Sequence, residues 1–158
     1  MFQVGDKIVH PMHGAGVIAD IAQRKVNGVV RTYYELKLPI GGMLVMIPTE
    51  NTQEIGVRPV IAKEQVEQIL AAVKQIKVEM DPNWNRRYRD NLLRMKSGDL
   101  LEVARVVKGL MHRDSTRGLS TGERKMLHSA RQILISELVL VLGCGYEEAE
   151  ARINGALA

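Results

Sequence analysis

The sequence predicts an α+β fold in which a small β domain at residues 1–60 precedes an all-α domain of about five helices at residues 61–158. Two observations indicate this division. Before Pro59, short runs rich in β-branched and aromatic residues are separated by glycines and prolines. After Pro59, the apolar residues recur with a helical period. The length of 158 residues is enough for two small domains.

Five strands are expected in the β domain. The segment 29–34 is rich in β-branched and aromatic side chains, and Asn27-Gly28 in front of it is a strong signal for a tight hairpin. Prolines and glycines punctuate the rest, so we expect a small twisted sheet or barrel without helices. The expected strands are 6–10, 16–24, 29–38, 43–48 and 55–58.

The helices of the second domain are delimited by residues that typically begin and end helices. Ser120 and Glu123 match the capping box that opens a helix, and Asp99 is a candidate N-cap. Gly143 is a candidate C-cap. The expected helices span about 66–80, 83–97, 100–117, 121–142 and 146–158.

Composition narrows the class of protein. No apolar run reaches the roughly 18 residues of a membrane-spanning helix. The N-terminus lacks the basic and apolar regions of a signal peptide, so we expect a cytoplasmic location. Cys144 is the only cysteine, which leaves no partner for an internal disulfide or a thiolate zinc site. We interpret it as a packed small side chain.

Positive charge is concentrated in one helical stretch. Residues 84–131 carry twelve Lys/Arg against five Asp/Glu, a net charge of +7, although the whole chain carries only +4. Residues 1–60 and 61–83 are nearly neutral, and residues 132–158 carry one basic residue against four acidic ones. Since basic residues that neutralise phosphates release counterions, this asymmetry predicts a polyanionic partner for the helical domain.

The sequence gives only weak evidence for catalytic or metal-binding residues. His10 and His13 flank a turn, but no acidic or thiol group lies at metal-ligand spacing beside them. No phosphate-binding loop or dinucleotide fingerprint occurs. We therefore expect no enzyme activity, no catalytic residues, no metal and no cofactor. An enzyme that uses His10 and His13 remains an alternative, and it predicts stoichiometric metal in the purified protein.

Trp84, the only tryptophan, lies at the start of an expected helix beside Asn83 and a series of arginines. Large aromatic rings usually serve packing, so one interpretation buries it between helices. The other presents it to a nucleic-acid groove as an apolar wedge with phosphate-binding arginines beside it. The spacing does not decide between them. A second basic set, Arg124, His128 and Arg131, shares one face of the long helix and is either solvated or in contact with the same polyanion.

Six segments of the sequence form motifs that are specific in combination. They are Phe2-x-Val4-Gly5-Asp6, His10-Pro11-x-His13-Gly14, Ile47-Pro48, Gly56-Val57-Arg58, Asn83-Trp84-x-Arg86-Arg87-Tyr88 and the run from Gly118 to Arg131. Together they resemble the CarD/CdnL family of RNA polymerase-binding transcription regulators, nearly end to end. The β domain is also similar to the polymerase-interacting domain of transcription-repair coupling factor.

For the β domain, the resemblance implies a Tudor-like fold that binds the RNA polymerase β subunit by extending a sheet edge, a mode in which main-chain pairing supplies the affinity. The corresponding strand is 43–47, and Arg24 matches a basic residue of the same interface. Some family members have arginine at the position of Met46, where an apolar contact is expected instead. The expected polymerase-binding residues are Arg24, Leu44, Met46, Ile47 and Pro48.

For the helical domain, the resemblance implies that Trp84 is a wedge in the minor groove of promoter DNA, at the upstream edge of the bubble. The expected DNA-binding residues are Asn83, Trp84, Arg86, Arg87, Arg89, Arg124 and Lys125. We expect a protein that is a monomer in the functional complex, joins the nucleoid through the polymerase and stabilises the open promoter complex without reading base sequence. An adaptor that docks on the polymerase without touching DNA is the alternative.

Overall fold

The computed structural model describes all 158 residues. It confirms the predicted class, because an antiparallel five-stranded sheet is followed by a helical region of five main helices. The order across the sheet is β4-β3-β2-β1-β5, so β4 and β5 are its edges. The strands are β1 (Lys7–His10), β2 (Gly14–Val26), β3 (Val29–Lys37), β4 (Leu44–Pro48) and β5 (Arg58–Pro59).

The hairpin between β2 and β3 turns at Asn27-Gly28, as the sequence predicts. Both residues have positive φ, 52° and 79°, the backbone conformation of a two-residue turn that matches the twist of its strands. Val26 pairs with Val29 directly across the turn. The hairpin therefore fixes the register of the two longest strands of the sheet.

The prediction of a strand at 55–58, and of no helix in this domain, is wrong. A one-turn helix, α1 (Thr52–Ile55), lies between Asn51 and Gly56, which have positive φ of 63° and 96°, and β5 begins only at Arg58. The N–H of Gly56 closes the turn by donating to two of its carbonyls at 3.1 Å. Four residues are too few to show a helical period, so no apolar pattern indicated this turn.

Five further helices follow, with a short 3-10 turn at Lys63–Gln65 in front of them. The predicted N-caps Asp99 and Ser120 are present: their side chains accept hydrogen bonds from main-chain N–H groups in the first turns of α4 and α5. Asn83, which was not predicted as a cap, has the same role in α3. Gly143 ends α5 with a left-handed φ of 62°. The helices are α2 (Val66–Lys74), α3 (Trp84–Lys96), α4 (Leu100–Thr116), α5 (Thr121–Leu142) and α6 (Tyr146–Leu157).

Helix α2 ends earlier than its sequence predicts, at Lys74 rather than near residue 80. Lys108 of α4 donates from Nζ to the carbonyls of Val73 and Lys74, at 3.1 and 2.9 Å, and so satisfies the end of the helix. Met80 then packs on Gly109, where a Cβ would lie only 2.2 Å from the methionine methyl group. Contacts with α4 thus accompany the end of the helix, and no glycine or proline near Lys74 signals it.

No single helix is long and apolar enough to span a membrane by itself. Only α5 and α6 taken together meet the criteria of length and composition, and the bend between them is 117°.

The sheet packs directly on α5. Successive side chains of β1 point to opposite faces, so Ile8 belongs to a seven-residue core within the sheet and Val9 to a 22-residue core shared with the helices. The N–H of Ala15 donates to Ser136 Oγ at 2.9 Å. Gly14 approaches the same helix so closely that a Cβ would lie 2.7 Å from that oxygen.

An ion pair between a partly exposed arginine and a buried glutamate strengthens this junction. Arg58 of β5 donates from Nη2 and Nη1 to the two carboxylate oxygens of Glu137 in α5, at 2.7 and 2.8 Å. Glu137 is fully buried, and it also accepts the N–H of Ile61 at 2.9 Å. Arg58 Nε donates to the carbonyl of Gly98 between α3 and α4. One arginine thus joins the sheet to two parts of the helical region.

Candidate functional site

Trp84 is exposed at the first residue of α3, with 43% of its surface accessible. Asn83 caps the helix by accepting the N–H of Arg86 at 3.1 Å. The indole stacks on Tyr88 with ring centroids 5.0 Å apart and planes inclined by 16°, and its Nε1 donates to Ser120 Oγ at 3.1 Å. The interpretation of Trp84 as a core residue is therefore wrong.

Arg87, in contrast, is buried, with 2% of its side chain exposed. Its Nε and Nη2 donate to the carboxylate of Glu123 at 2.8 and 3.2 Å. Its Nη1 donates to the carbonyls of Asp81 and Pro82, both at 3.1 Å. The expected contact of Arg87 with DNA does not fit this geometry, because the guanidinium is enclosed and all three of its nitrogens are bonded within the protein.

Glu123 receives the Arg87 guanidinium in the first turn of α5. The hydrogen bond from Arg87 is the main reason why the pKa of the Glu123 carboxyl lies below its usual value, although burial acts in the opposite direction. The hydroxyl of Ser120 also donates to Glu123 Oε1, at 3.2 Å. The carboxylate therefore connects the buried arginine to the hydroxyl that holds the indole.

Four basic side chains lie exposed on the first turns of α3 and α5. None of them forms an ion pair, so their charges are available to an external anion. The hydrogen bond between Trp84 and Ser120 brings these two helix starts together. The four residues, which we call the basic cluster, are Arg86, Arg89, Arg124 and Lys125.

Arg131 does not share a free basic face with Arg124 and His128. Its guanidinium donates to Asn154 Oδ1 at 2.7 Å and lies 3.7 Å from Glu150, both in α6, and only 20% of its side chain is exposed. Arg131 therefore attaches α6 to α5, whereas His128 is exposed.

The second candidate surface is the edge strand β4. The main-chain hydrogen bonds from Leu38 N to Met43 O and from Thr49 N to Thr32 O, at 2.9 and 3.0 Å, mark the two ends of its pairing with β3. In an antiparallel pair every second residue bonds to its partner strand, so Val45 and Ile47 bond to β3. The main-chain groups of the residues between them, Leu44, Met46 and Pro48, point away from the sheet.

This alternation assigns different roles to the expected polymerase-binding residues. Ile47 is 1% exposed and belongs to the core of the sheet, so its side chain is not available to a partner. Leu44 is 56% exposed. Met46 lies opposite Glu35, which forms a 3.5 Å ion pair with the exposed Arg24, so Arg24 and Met46 share one face.

The two histidines of the β1–β2 turn interact with each other. Their rings lie 4.6 Å apart, and His10 Nδ1 accepts the N–H of Met12 at 3.0 Å. Partial burial, followed by the charge of His13, lowers the pKa of His10 to about 4. No group of three potential metal ligands from His, Cys, Asp or Glu occurs in the structure. His10 thus has a local structural role, as the acceptor of a main-chain N–H in the turn.

Sequence reasoning missed the residues that hold Trp84. Tyr88 follows Trp84 by four positions, the spacing at which helical side chains touch, and this was a usable signal. Ser120 and Glu123 were identified only as a capping box. Their contacts to α3 depend on how the two helices pack, which the spacing of residues within one helix does not indicate.

Comparison with known proteins gives consistent matches over both parts of the chain. Residues 66–154 match the family model described as "CarD, C-terminal domain", and residues 2–61 match the one described as "CarD-like/TRCF RID domain". A protein of Bacillus subtilis (strain 168) named "Putative transcription factor YdeB" is 36% identical over 143 residues, which cover 90% of this chain and 94% of that protein.

Proposed function

The chain belongs to the CarD family of transcription regulators, which interact with RNA polymerase, and from this premise we propose that it joins the polymerase β subunit to promoter DNA. In this proposal residues 1–60 bind the polymerase and residues 61–158 bind DNA. The observation that carries it is an exposed tryptophan beside four basic side chains that form no ion pairs. These residues lie on a helical region that is joined by an ion pair to a sheet with an unpaired edge strand.

Polymerase binding would occur by addition of a partner strand to β4. The outward main-chain groups of Leu44 and Met46 are the donors and acceptors for such pairing. Pro48 has no N–H to offer, and at an outward-facing edge position this costs the sheet nothing. Arg24 and the side chain of Met46 would contact the partner on one face, while Ile47 would support the strand from the core.

DNA binding would rest on the basic cluster and on Trp84. The cluster would contact phosphates, whose neutralisation releases counterions whatever the base sequence. The indole would enter the minor groove as an apolar wedge, as side chains of architectural DNA-binding proteins do. Asn83 would act by fixing the start of α3. Arg87 would support these residues without touching DNA, since its guanidinium is enclosed.

Stabilisation of the open promoter complex follows from this arrangement. A ring that occupies the unstacked step at the upstream edge of the bubble must leave before the duplex can close. Because the polymerase-bound sheet and Trp84 belong to one packed unit, the ring would be held at a fixed position relative to the polymerase. Promoters with an unstable bubble would gain most from this effect.

The lifetime of competitor-challenged open complexes tests the proposal. Trp84→Ala should shorten the lifetime toward that without the protein, while binding to polymerase persists. The loss of stability should not exceed about 1–3 kcal/mol, the contribution of one stacking contact and one hydrogen bond, because the ring is not part of the core. Leu93→Ala, which removes another exposed apolar side chain of α3, is the matched control and should behave as the parent. A folded Trp84→Ala protein with the parent lifetime would refute the wedge. Absence of salt-dependent DNA binding would favour the adaptor.

A further inference from the structure

The ring of Trp84 is held at two places. Tyr88 covers one face, in a stacked arrangement with a centroid distance of 5.0 Å, and Ser120 Oγ accepts the indole N–H at 3.1 Å. The N–H is the only polar group of a tryptophan side chain. Its bond to Ser120 therefore determines which edge of the ring is turned toward the protein.

The Ser120 hydroxyl has no hydrogen-bonding capacity left. It accepts from Trp84 Nε1 at 3.1 Å and from Glu123 N at 3.2 Å, and it donates to Glu123 Oε1 at 3.2 Å. A serine hydroxyl offers one donor and two acceptor positions, and all three are used. Because an N–H can only donate and an ionised carboxylate can only accept, the hydroxyl proton of Ser120 must point toward Glu123.

The buried guanidinium of Arg87 holds both the Glu123 carboxylate and the main chain in front of Trp84. Arg87 holds the Glu123 carboxylate with two nitrogens and the carbonyls of Asp81 and Pro82 with the third. These carbonyls belong to the segment that leads into Trp84. The main chain in front of the ring and the carboxylate that orients the hydroxyl are therefore fixed by the same side chain.

We propose that Ser120, backed by the Arg87–Glu123 pair, is a positioning residue that holds the Trp84 indole with its N–H toward the protein. This inference rests on the proposed function, in which Trp84 is a wedge. A ring whose polar group is already bonded presents only apolar surface to DNA, so its insertion requires no acceptor on a base. Holding the ring in advance also avoids the entropy loss of ordering it on binding.

The fluorescence of Trp84 tests the positioning directly, since it is the only tryptophan. Time-resolved anisotropy of the full-length protein should show more fast ring motion in Ser120→Ala and in Ser120→Gly, which lacks the hydroxyl but keeps a favourable N-cap residue. Ser120→Thr should restore the restrained ring. Asp99→Ala, which removes the cap of α4 far from the indole, is the control for lost stability and should leave the anisotropy unchanged.

Open-complex lifetimes then show whether positioning matters for function. Ser120→Gly should shorten the lifetime roughly two- to tenfold, the range expected for one lost hydrogen bond, and Ser120→Thr should restore it. Unchanged ring motion in both hydroxyl-free variants would overturn the inference. So would a parent lifetime in Ser120→Gly when Trp84→Ala shortens it. A parent lifetime in Trp84→Ala would instead overturn the proposed function itself.

Discussion

Two buried glutamates of α5 form ion pairs with arginines, and the pairs connect α5 to different parts of the molecule. Glu123, in the first turn, pairs with Arg87 of α3, and Glu137, about four turns further on, pairs with Arg58 of β5. In both pairs the guanidinium bonds both carboxylate oxygens. The chemistry is the same, but one pair supports Trp84 and the other joins the sheet to the helices.

The pairs differ in their access to water. Arg87 has 2% of its side chain exposed, whereas Arg58 has 25%. Water can therefore reach a site vacated by Arg58 more readily than one vacated by Arg87. The comparison suggests a division of roles: the enclosed pair fixes a local detail, the orientation of one ring, and the partly wet pair fixes the relation between two modules.

The largest loss of stability is expected for Arg87→Met. It leaves the Glu123 carboxylate buried without its partner, which typically costs about 3–5 kcal/mol in the free energy of unfolding. Urea unfolding measures the loss, and the anisotropy of Trp84 should change with it. Arg86→Met, at the neighbouring exposed position, should stay within about 0.5 kcal/mol. Equal stabilities of the two variants would mean that the enclosed pair contributes nothing.

The contrast between Arg86 and Arg87 also shows what could not be predicted from the sequence. The caps Asp99 and Ser120 predicted where α4 and α5 begin, because capping is a local interaction. The sequence does not distinguish Arg87 from the other arginines of α3, since charge alone does not show which face of α3 packs against α5. A helical projection groups it with the buried Met95, eight positions on, and this was the available signal.

The geometry of the edge strand could likewise be predicted only in part from the sequence. The pattern of residues predicts a strand at 43–48, the family resemblance implies that it is an edge strand, and the structure places β4 at the edge of the sheet. Which N–H groups point outward depends on the register with β3, since one residue of slip exchanges Val45 for Met46. Register is a tertiary property, and the strand sequence alone does not define it.

A smaller loss is expected for Arg58→Met, roughly 1.5–3 kcal/mol, because the N–H of Ile61 still bonds the Glu137 carboxylate and water can enter from the side on which Arg58 is partly exposed. The anisotropy of Trp84 should remain that of the parent. Arg105→Met removes an exposed pair with Glu102 and should cost less than about 1 kcal/mol. A change in ring mobility in Arg58→Met would show that the two pairs do not act separately.

The pH dependence of stability should separate the β1–β2 turn from the Arg87–Glu123 pair. The pKa of His10 is lowered from 6.5 to about 4, so the unfolded chain binds a proton first, and stability should fall as the pH drops through this range. The contribution of Glu123, whose pKa is also lowered, is present above 4.5 and is lost only as the pH falls further.

Urea unfolding between about pH 6.5 and pH 4.5 tests this order. His10→Asn keeps an acceptor for the N–H of Met12 but does not titrate, so it should lose less stability than the parent over this interval. An equal loss in both proteins would assign the effect to other groups.

The smallest effects are expected for single residues of the basic cluster. Arg86→Ala, Arg89→Ala and Arg124→Ala should each weaken DNA binding to a similar extent on different sequences and reduce the salt slope by roughly one unit. Arg131→Ala is the matched control, because its guanidinium is bound to α6. Unchanged slopes for all three cluster variants would mean that their charges are merely solvated.

Photocrosslinking from the position next to Trp84 tests most directly whether the protein bridges polymerase and DNA. Asn85→p-benzoylphenylalanine places the probe at an exposed residue and keeps the ring intact. We predict crosslinks to the upstream edge of the promoter bubble that require polymerase. They should disappear with Met46→Pro, which removes an outward N–H of β4. Crosslinks that map elsewhere, or that persist in a folded Met46→Pro protein, would contradict the account.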